Sequence, residues 1–237
     1  MIEAIDLTKK YGDKIAVNNL NLKINEGELF SLLGVNGAGK TTTIKMLTTL
    51  IKPTSGIVKV LGYRSIDEKG MIRKNINVSP QETAIAPNLS VLENLDFMAG
   101  VYKIKNKKER INKLVKDFKL EDVLKQKAKT LSGGYQRRLS IAISLINNPK
   151  VLFLDEPTLG LDVIARAELW DIIKELKKEK TIVLTTHYME EAESLSDRIG
   201  IIKEGSLIEV GTVKELLKKT KSKNMEEAFI KIVRGDK

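Results

Sequence analysis

Gly34-Val35-Asn36-Gly37-Ala38-Gly39-Lys40-Thr41 meets the pattern G-x-x-x-x-G-K-[ST] at every fixed position. Each residue type has a physical reason to be there. Glycines let the backbone curl so that successive N–H groups point at one anion. A helix starting directly after the loop adds the partial positive charge of its N-terminus. Gly34, Asn36, Gly37, Ala38 and Gly39 are thus expected to wrap a phosphate chain. Lys40 would reach the β- and γ-phosphates, the Thr41 hydroxyl would hold Mg2+, and Thr42 would donate to a phosphate oxygen. Further on, Val151-Leu152-Phe153-Leu154-Asp155-Glu156 is an apolar run ending in two acids. Asp155 is placed to hold Mg2+, directly or through water. Glu156, just past the strand end, is placed to orient or deprotonate an attacking water. Leu131-Ser132-Gly133-Gly134-Tyr135-Gln136 sets a hydroxyl and two glycines at a helix start, another anion-binding geometry.

Taken together, these segments resemble the Walker A loop, the LSGGQ signature and the Walker B strand of ABC (ATP-binding cassette) ATPases, in the family's order. Other residues fall into the same register. Tyr11 resembles the aromatic that stacks on adenine, and Gln81 the glutamine that touches Mg2+ or water and couples the site to a membrane partner. Gly160-Leu161-Asp162 is similar to the loop in which an aspartate couples two subunits, which assigns that role to Asp162. His187, the only histidine, resembles the switch that contacts the γ-phosphate. The resemblance implies a catalytic set of Glu156, His187, Gln81 and Lys40, and a metal set of Thr41, Gln81 and Asp155. It implies ATP and Mg2+ as cofactors. It also implies that Ser132, Gly133 and Gly134 close over the nucleotide of a second ATPase subunit, identical or related. The departures are Val35, where proline is common, and Tyr135, where the signature often has glutamine.

The elements that must position these residues are legible in the apolar spacing. Leu20, Leu22 and Ile24 alternate with polar neighbours, as in a half-buried strand. Leu29 to Leu33 reads as a buried strand delivering the glycine-rich loop, and Thr41 to Leu50 as the helix after it, stopped near Pro53. Ile111, Leu114, Val115 and Phe118 form one helical stripe, and Ser132 caps a helix running to Ile146. Residues 151–154 and 182–186 read as buried parallel strands around a helix at 163–178, a βαβ unit. Residues 199–210 read as a hairpin, and a charged helical tail follows. The fold class expected is α/β: a P-loop NTPase core with a mixed or parallel sheet, an antiparallel β subdomain and an inserted α-helical subdomain. The resemblance covers residues 1–220 as one ATPase domain. Its core and β subdomain fall at about 1–82 and 150–211, the helical insert at about 83–149, and the C-terminal tail at 212–237.

Composition narrows the function classes. The 237 residues contain no cysteine, which excludes disulfides, thiol catalysis and cysteine-ligated zinc. No run approaches the ~18 apolar residues of a membrane span, and Met1 to Asp6 lacks the basic start of a signal peptide. A cytoplasmic chain is expected, peripheral at the membrane through integral permease subunits. The net charge of +10 concentrates in residues 103–129, with eleven Lys/Arg against four Asp/Glu. The single aromatic residue among those lysines, Phe118, belongs to the apolar stripe and makes no base-stacking platform, so a solvated helical face is expected and no nucleic-acid partner. Asn106-Lys107-Lys108-Glu109 comes near the base-reading N-K-x-D of GTPases but ends in glutamate. Pro80-Gln81-Glu82, Leu89 to Leu95 and the tail Asn224 to Ile230 resemble the daunorubicin-resistance type of exporter ATPase. Export of a drug, lipid, polysaccharide or similar substrate is therefore expected. The alternatives are an importer ATPase, or a non-transport ABC ATPase acting on ribosomes or nucleic acid.

Overall fold

The structure, a computed structural model, describes residues 1–235. The last two residues of the expected tail 212–237 lie outside the described residues. The chain opens with β1 (Ile2–Tyr11), β2 (Lys14–Ile24) and β3 (Leu29–Leu33), followed by α1 (Lys40–Leu47). Next come β4 (Ser55–Val60), β5 (Tyr63–Arg64), α2 (Lys69–Asn75) and β6 (Ile76–Ser79). A helical stretch follows, with α3 (Val91–Val101), α4 (Lys107–Asp117), two short 3-10 turns and α5 (Gly133–Ser144). The α/β alternation then resumes with β7 (Val151–Asp155), α6 (Val163–Lys177), β8 (Thr181–Thr186) and α7 (Met189–Leu195). The hairpin β9 (Arg198–Lys203) and β10 (Ser206–Gly211) precedes α8 (Val213–Thr220) and α9 (Met225–Arg234).

The fold is α/β, as expected, with two sheets of different character. β2-β1-β4-β5 is antiparallel. β10-β9-β3-β8-β7-β6 is parallel except for β10, which pairs antiparallel with β9. Every residue of β3, β7 and β8 is buried, which is why these strands read as near-continuous apolar runs. Side chains alternate across the parallel sheet. Leu152, Leu154, Ile182 and Leu184 join a core built with the helices. Val151, Phe153, Val183, Phe30 and Leu32 face the other way, into a core shared with β1, β2, β4 and α1.

The topology sets the site. β8 lies between β3 and β7, with Leu33 paired to Thr186 and Asp155 to Thr185. The loops leaving β3, β7 and β8 therefore emerge side by side at the carboxyl ends of parallel strands, where open α/β sheets bind ligands. These loops begin at Gly34, Glu156 and His187.

Local chemistry sets the helix ends. Ser90 and Glu93 form a reciprocal capping box at α3. The stripe Ile111, Leu114, Val115 and Phe118 is buried as its spacing required. Its lysines stand on the outer face, with Lys107 paired to Asp96 and Lys113 to Asp117. Two helices stop earlier than their apolar patterns suggest. The first ends at Leu47 rather than Leu50: Thr49 turns left-handed at φ 61°, and the N–H groups of Leu50 and Ile51 both return to the Lys45 carbonyl. α5 ends at Ser144 rather than Ile146, and Asn148, at φ 51°, turns the chain into β7. At the other end of the chain, Met225, Ala228 and Phe229 of α9 pack with Leu33, Ile199 and Ile201. No helix among the described residues is long and apolar enough to cross a membrane.

One buried acid stands apart from the cleft residues. Glu191 on α7 is fully buried, and its Oε1 accepts from Thr158 Oγ1 (2.8 Å) and Trp170 Nε1 (3.1 Å). Its Oε2 has no partner among the described residues. Burial pushes this carboxyl above the ordinary carboxylate range. Between the ordinary and the raised value the folded chain binds more protons than the unfolded one, so stability falls as pH rises through that window. Glu191→Gln keeps an acceptor for both donors and carries no charge to desolvate. It is expected to flatten that fall and to gain about 1–3 kcal/mol over the parent at the high-pH end. Urea unfolding at several pH values checks this; a variant with the parent's pH slope would place the titration elsewhere.

Candidate active site

A cleft of about 610 Å3 opens where the three loops meet. Tyr11, Asn36, Gly37, Gly39, Lys40, Thr41, Thr42, Gln81 and Glu156 all line it. Residues far apart in the sequence, 11, 40, 81 and 156 among them, therefore share one cavity. Gly34, Ala38, Asp155 and His187 are not lining residues, but each touches one that is or adjoins it in the chain.

The phosphate loop is seated from behind by two other parts of the chain. Gly39 sits at φ +106°, and a Cβ there would lie 2.5 Å from the Ala16 carbonyl oxygen. A Cβ on Gly34 would come equally close, 2.5 Å, to the Ile202 carbonyl. Only glycine allows such approaches. The hairpin β9–β10 completes the seat: the Gly205 N–H donates to the Ala38 carbonyl (2.9 Å), and the Gly205 carbonyl accepts from the Asn18 N–H (2.9 Å). The open end of the cleft is walled by Lys14, Ile15 and Ala16 of β2 and by Tyr11, whose ring is half exposed with Lys9 Nζ 5.0 Å from its centroid.

The polar groups at the floor are tightly connected. Lys40 is only 4% exposed, and its Nζ donates to the carbonyls of Gly34 (2.8 Å) and Val35 (3.2 Å). The same ammonium lies 3.2 Å from Glu156 Oε1. The other carboxylate oxygen of Glu156 is 3.0 Å from His187 Nδ1. Asp155 Oδ1 accepts from Thr41 Oγ1 (3.2 Å) and Thr185 Oγ1 (2.5 Å). Glu156 turns left-handed at φ 47°, and its N–H donates to Thr185 Oγ1 (3.0 Å). That reversal aims its side chain into the cleft while Asp155 completes the strand. The arrangement offers a cation and loop amides for a phosphate chain, a hydroxyl–carboxylate pair of hard oxygens, and a carboxylate able to take a proton.

Ser132, Gly133 and Gly134 are not part of the cleft lining. Ser132 caps α5, its Oγ 3.5 Å from the Tyr135 N–H, and a Cβ on Gly134 would lie 3.0 Å from the Ala165 Cβ. Asp162 caps α6, accepting from the Ala165 N–H (2.9 Å). These residues gather at the facing starts of two helices, apart from the cavity that holds Lys40 and Glu156.

Several contributors escaped sequence reasoning. Thr185 organises both acids, and its signal was a hydroxyl near the end of a strand buried along its whole length. Ala16 and Gly205 shape the loop through backbone contacts that no side chain announces. Arg137 is 3% exposed, a charge inside the buried face of α5, and that placement was its signal.

The family model described as ABC transporter matches residues 17–159, which include the phosphate loop, Gln81, Ser132 to Gly134 and Glu156. The probable multidrug ABC transporter ATP-binding protein YbhF of Escherichia coli is 40% identical over 98% of this chain and 42% of its own length. The daunorubicin/doxorubicin resistance ATP-binding protein DrrA of Streptomyces peucetius is 41% identical over 91% of this chain and 66% of its own length. This chain thus spans less than two thirds of either relative. A solved ATP-binding cassette, a dimer in a post-hydrolysis state bound to ADP and Pi, superposes with a TM-score of 0.80 at 31% identity, covering 90% of this chain and 98% of its own. A matched cassette segment, relatives at this identity and a site whose floor joins the phosphate loop to two strand-end acids lead to one result: the chain belongs to the ABC transporter family, as an ATP-binding cassette.

Proposed function

We propose that this chain binds and hydrolyses ATP, as one of a pair of cassettes, to drive export through separate integral membrane subunits. The observation that carries the reading is the shared cleft: Lys40 and the loop amides, the Thr41–Asp155 pair and Glu156 with His187 surround a space sized for a triphosphate. Tyr11 stacks on the base, the loop N–H groups wrap the phosphates, and Lys40 turns from the Gly34 and Val35 carbonyls toward the β- and γ-phosphate oxygens. Thr41 and Asp155 are hard oxygen donors 3.2 Å apart, with Gln81 on the same cavity, and they suit an octahedral cation. They would hold Mg2+, which would supply neutralisation of phosphate charge when bound. Glu156 takes the proton of the attacking water, and His187 fixes the Glu156 carboxylate and reaches the γ-phosphate side.

The reading includes a second subunit, and the position of the other anion-binding segment supports it. Ser132, Gly133 and Gly134 sit off their own cleft, which leaves them open to serve the nucleotide of a partner cassette, with Asp162 coupling the two sites. Within the chain, residues 1–220 act as one ATPase unit that carries the helical insert at about 83–149. The names of the relatives, a multidrug transporter protein and a daunorubicin/doxorubicin resistance protein, support a drug as the exported substrate, with the chain held at the cytoplasmic face by its membrane subunit.

Phosphate release from ATP by the purified chain, alone and with its membrane subunits, tests the reading. Turnover is expected to require Mg2+ and to drop at least about a hundredfold on chelation. Absence of turnover with the membrane subunits present, or turnover indifferent to chelation, would overturn it.

A further inference from the structure

Arg137 makes a connection that the assigned roles do not use. Its Nη1 donates to the Pro80 carbonyl (2.7 Å) and its Nη2 to the Gln81 carbonyl (2.7 Å). The same Nη2 lies 3.2 Å from the Glu156 carbonyl. One guanidinium thus ties the backbone of the Gln81 loop to the backbone of Glu156. It does so from α5, the helix that begins at Ser132. No other side chain reaches both segments among the hydrogen bonds of the described residues.

Its position in the helix extends the link. Ser140, three residues on, lies 3.5 Å from Ser79 Oγ and accepts from the Ala84 N–H (3.3 Å). One face of α5 therefore follows the chain from β6 through the Gln81 loop. The guanidinium is nearly free of solvent, and burial lowers its pKa while Asp155 and Glu191 oppose that shift. It stays charged, because arginine does not give up its proton in proteins. A planar fork with five donors serves these three carbonyls from fixed directions. A lysine in its place presents a point charge with no fixed fork.

We propose that Arg137 is a positioning residue for ATP hydrolysis: it sets where Gln81 and Glu156 stand relative to each other, and it joins both to the Ser132–Gly134 end of α5. The residue touches no reacting atom. It acts through the backbones that carry two side chains of the hydrolytic set. A shift of the Ser132 segment is delivered to the cleft through this fork. This inference rests on the proposed ATPase function.

The test is a double-mutant cycle in the full chain with its membrane subunits, reading kcat, ATP affinity and thermal midpoint together. Arg137→Met fills a similar volume without donors. It is expected to lower kcat about thirtyfold to a hundredfold, since misplacement of a catalytic group by ~1 Å costs on that order, while ATP affinity stays within about threefold. Arg137→Lys should fall between Met and the parent, and it carries the same cycle if the Met variant does not fold. Gln81→Ala lowers kcat by itself. Added to it, Arg137→Met should cost no more than about threefold further, because both changes spoil one arrangement. Three outcomes overturn the inference: a kcat for Arg137→Met within about twofold of the parent, losses that multiply in the double variant, or kcat and ATP affinity falling together with the folded fraction. A parent that does not hydrolyse ATP would instead sink the proposed function, so the two failures are distinguishable.

Discussion

Glu156→Gln is expected to cut ATP turnover by about a thousandfold while ATP binding survives, the middle of the range for removing a positioned general base. The geometry separates the two effects. Glu156 stands beside the phosphate loop but supplies none of its N–H groups, and in the proposed function the loop, Lys40 and Tyr11 hold the nucleotide. An amide has nearly the volume of the carboxylate, so it fits the same 7%-exposed pocket between Lys40 and His187. Its carbonyl oxygen still accepts from Lys40, and its NH2 faces the His187 ring. What is lost is the lone pair able to take a proton from water. Removing a negative charge beside the phosphates also favours the bound state. ATP should then accumulate on the protein and hold cassettes in pairs, visible as a shift to a dimer by sedimentation with ATP and Mg2+. Full turnover would remove Glu156 from the reaction. Loss of ATP binding would show that the glutamate builds the loop.

The legible and illegible parts of this molecule divide along a physical line. The phosphate loop could be read because all its atoms come from eight consecutive residues, Gly34 to Thr41. The strands delivering it could be read because a strand buried on both faces is nearly continuously apolar, as Val151 to Leu154 is and as Leu29 to Leu33 is apart from Ser31. The order of strands was not legible. Nothing in residues 181–186 says that they lie between β3 and β7, yet that placement is what brings Gly34, Glu156 and His187 together. Backbone-mediated support was equally silent. The Ala16 carbonyl that forces glycine at position 39, and the Gly205 amide that holds the loop, carry no side-chain signature. Arg137 and Thr185 are intermediate cases: each is a polar residue in a buried stretch, which announces a partner without naming it. Helix ends drifted for a local reason, since Thr49 leaves the helix while its apolar neighbours Leu50 and Ile51 keep the pattern going.

Lys40→Ala is expected to act on the opposite step from Glu156→Gln. The ammonium makes three contacts, with the Gly34 and Val35 carbonyls and with Glu156, and its exposure of 4% leaves no room for water to replace it fully. In the proposed function these contacts are exchanged for the β- and γ-phosphate oxygens when ATP binds. A charge-assisted hydrogen bond contributes about 1.5–3 kcal/mol, so ATP affinity should weaken about tenfold to a hundredfold. Charge developing on the transferred phosphoryl group loses the same donor, and kcat/KM should fall by about a thousandfold or more. The variant also leaves the buried Glu156 carboxylate with His187 as its remaining partner, so some loss of stability accompanies the change. Titration calorimetry with ATP, set beside thermal unfolding of the same sample, separates the effects: a protein that melts cooperatively yet does not bind ATP isolates the lysine's contribution. Lys40→Arg keeps the charge but brings a larger head into a space closed by the Gly34 and Val35 carbonyls, and it should rescue neither binding nor turnover. A folded Lys40→Ala protein that binds ATP as tightly as the parent would refute the phosphate-binding role of Lys40 and its loop.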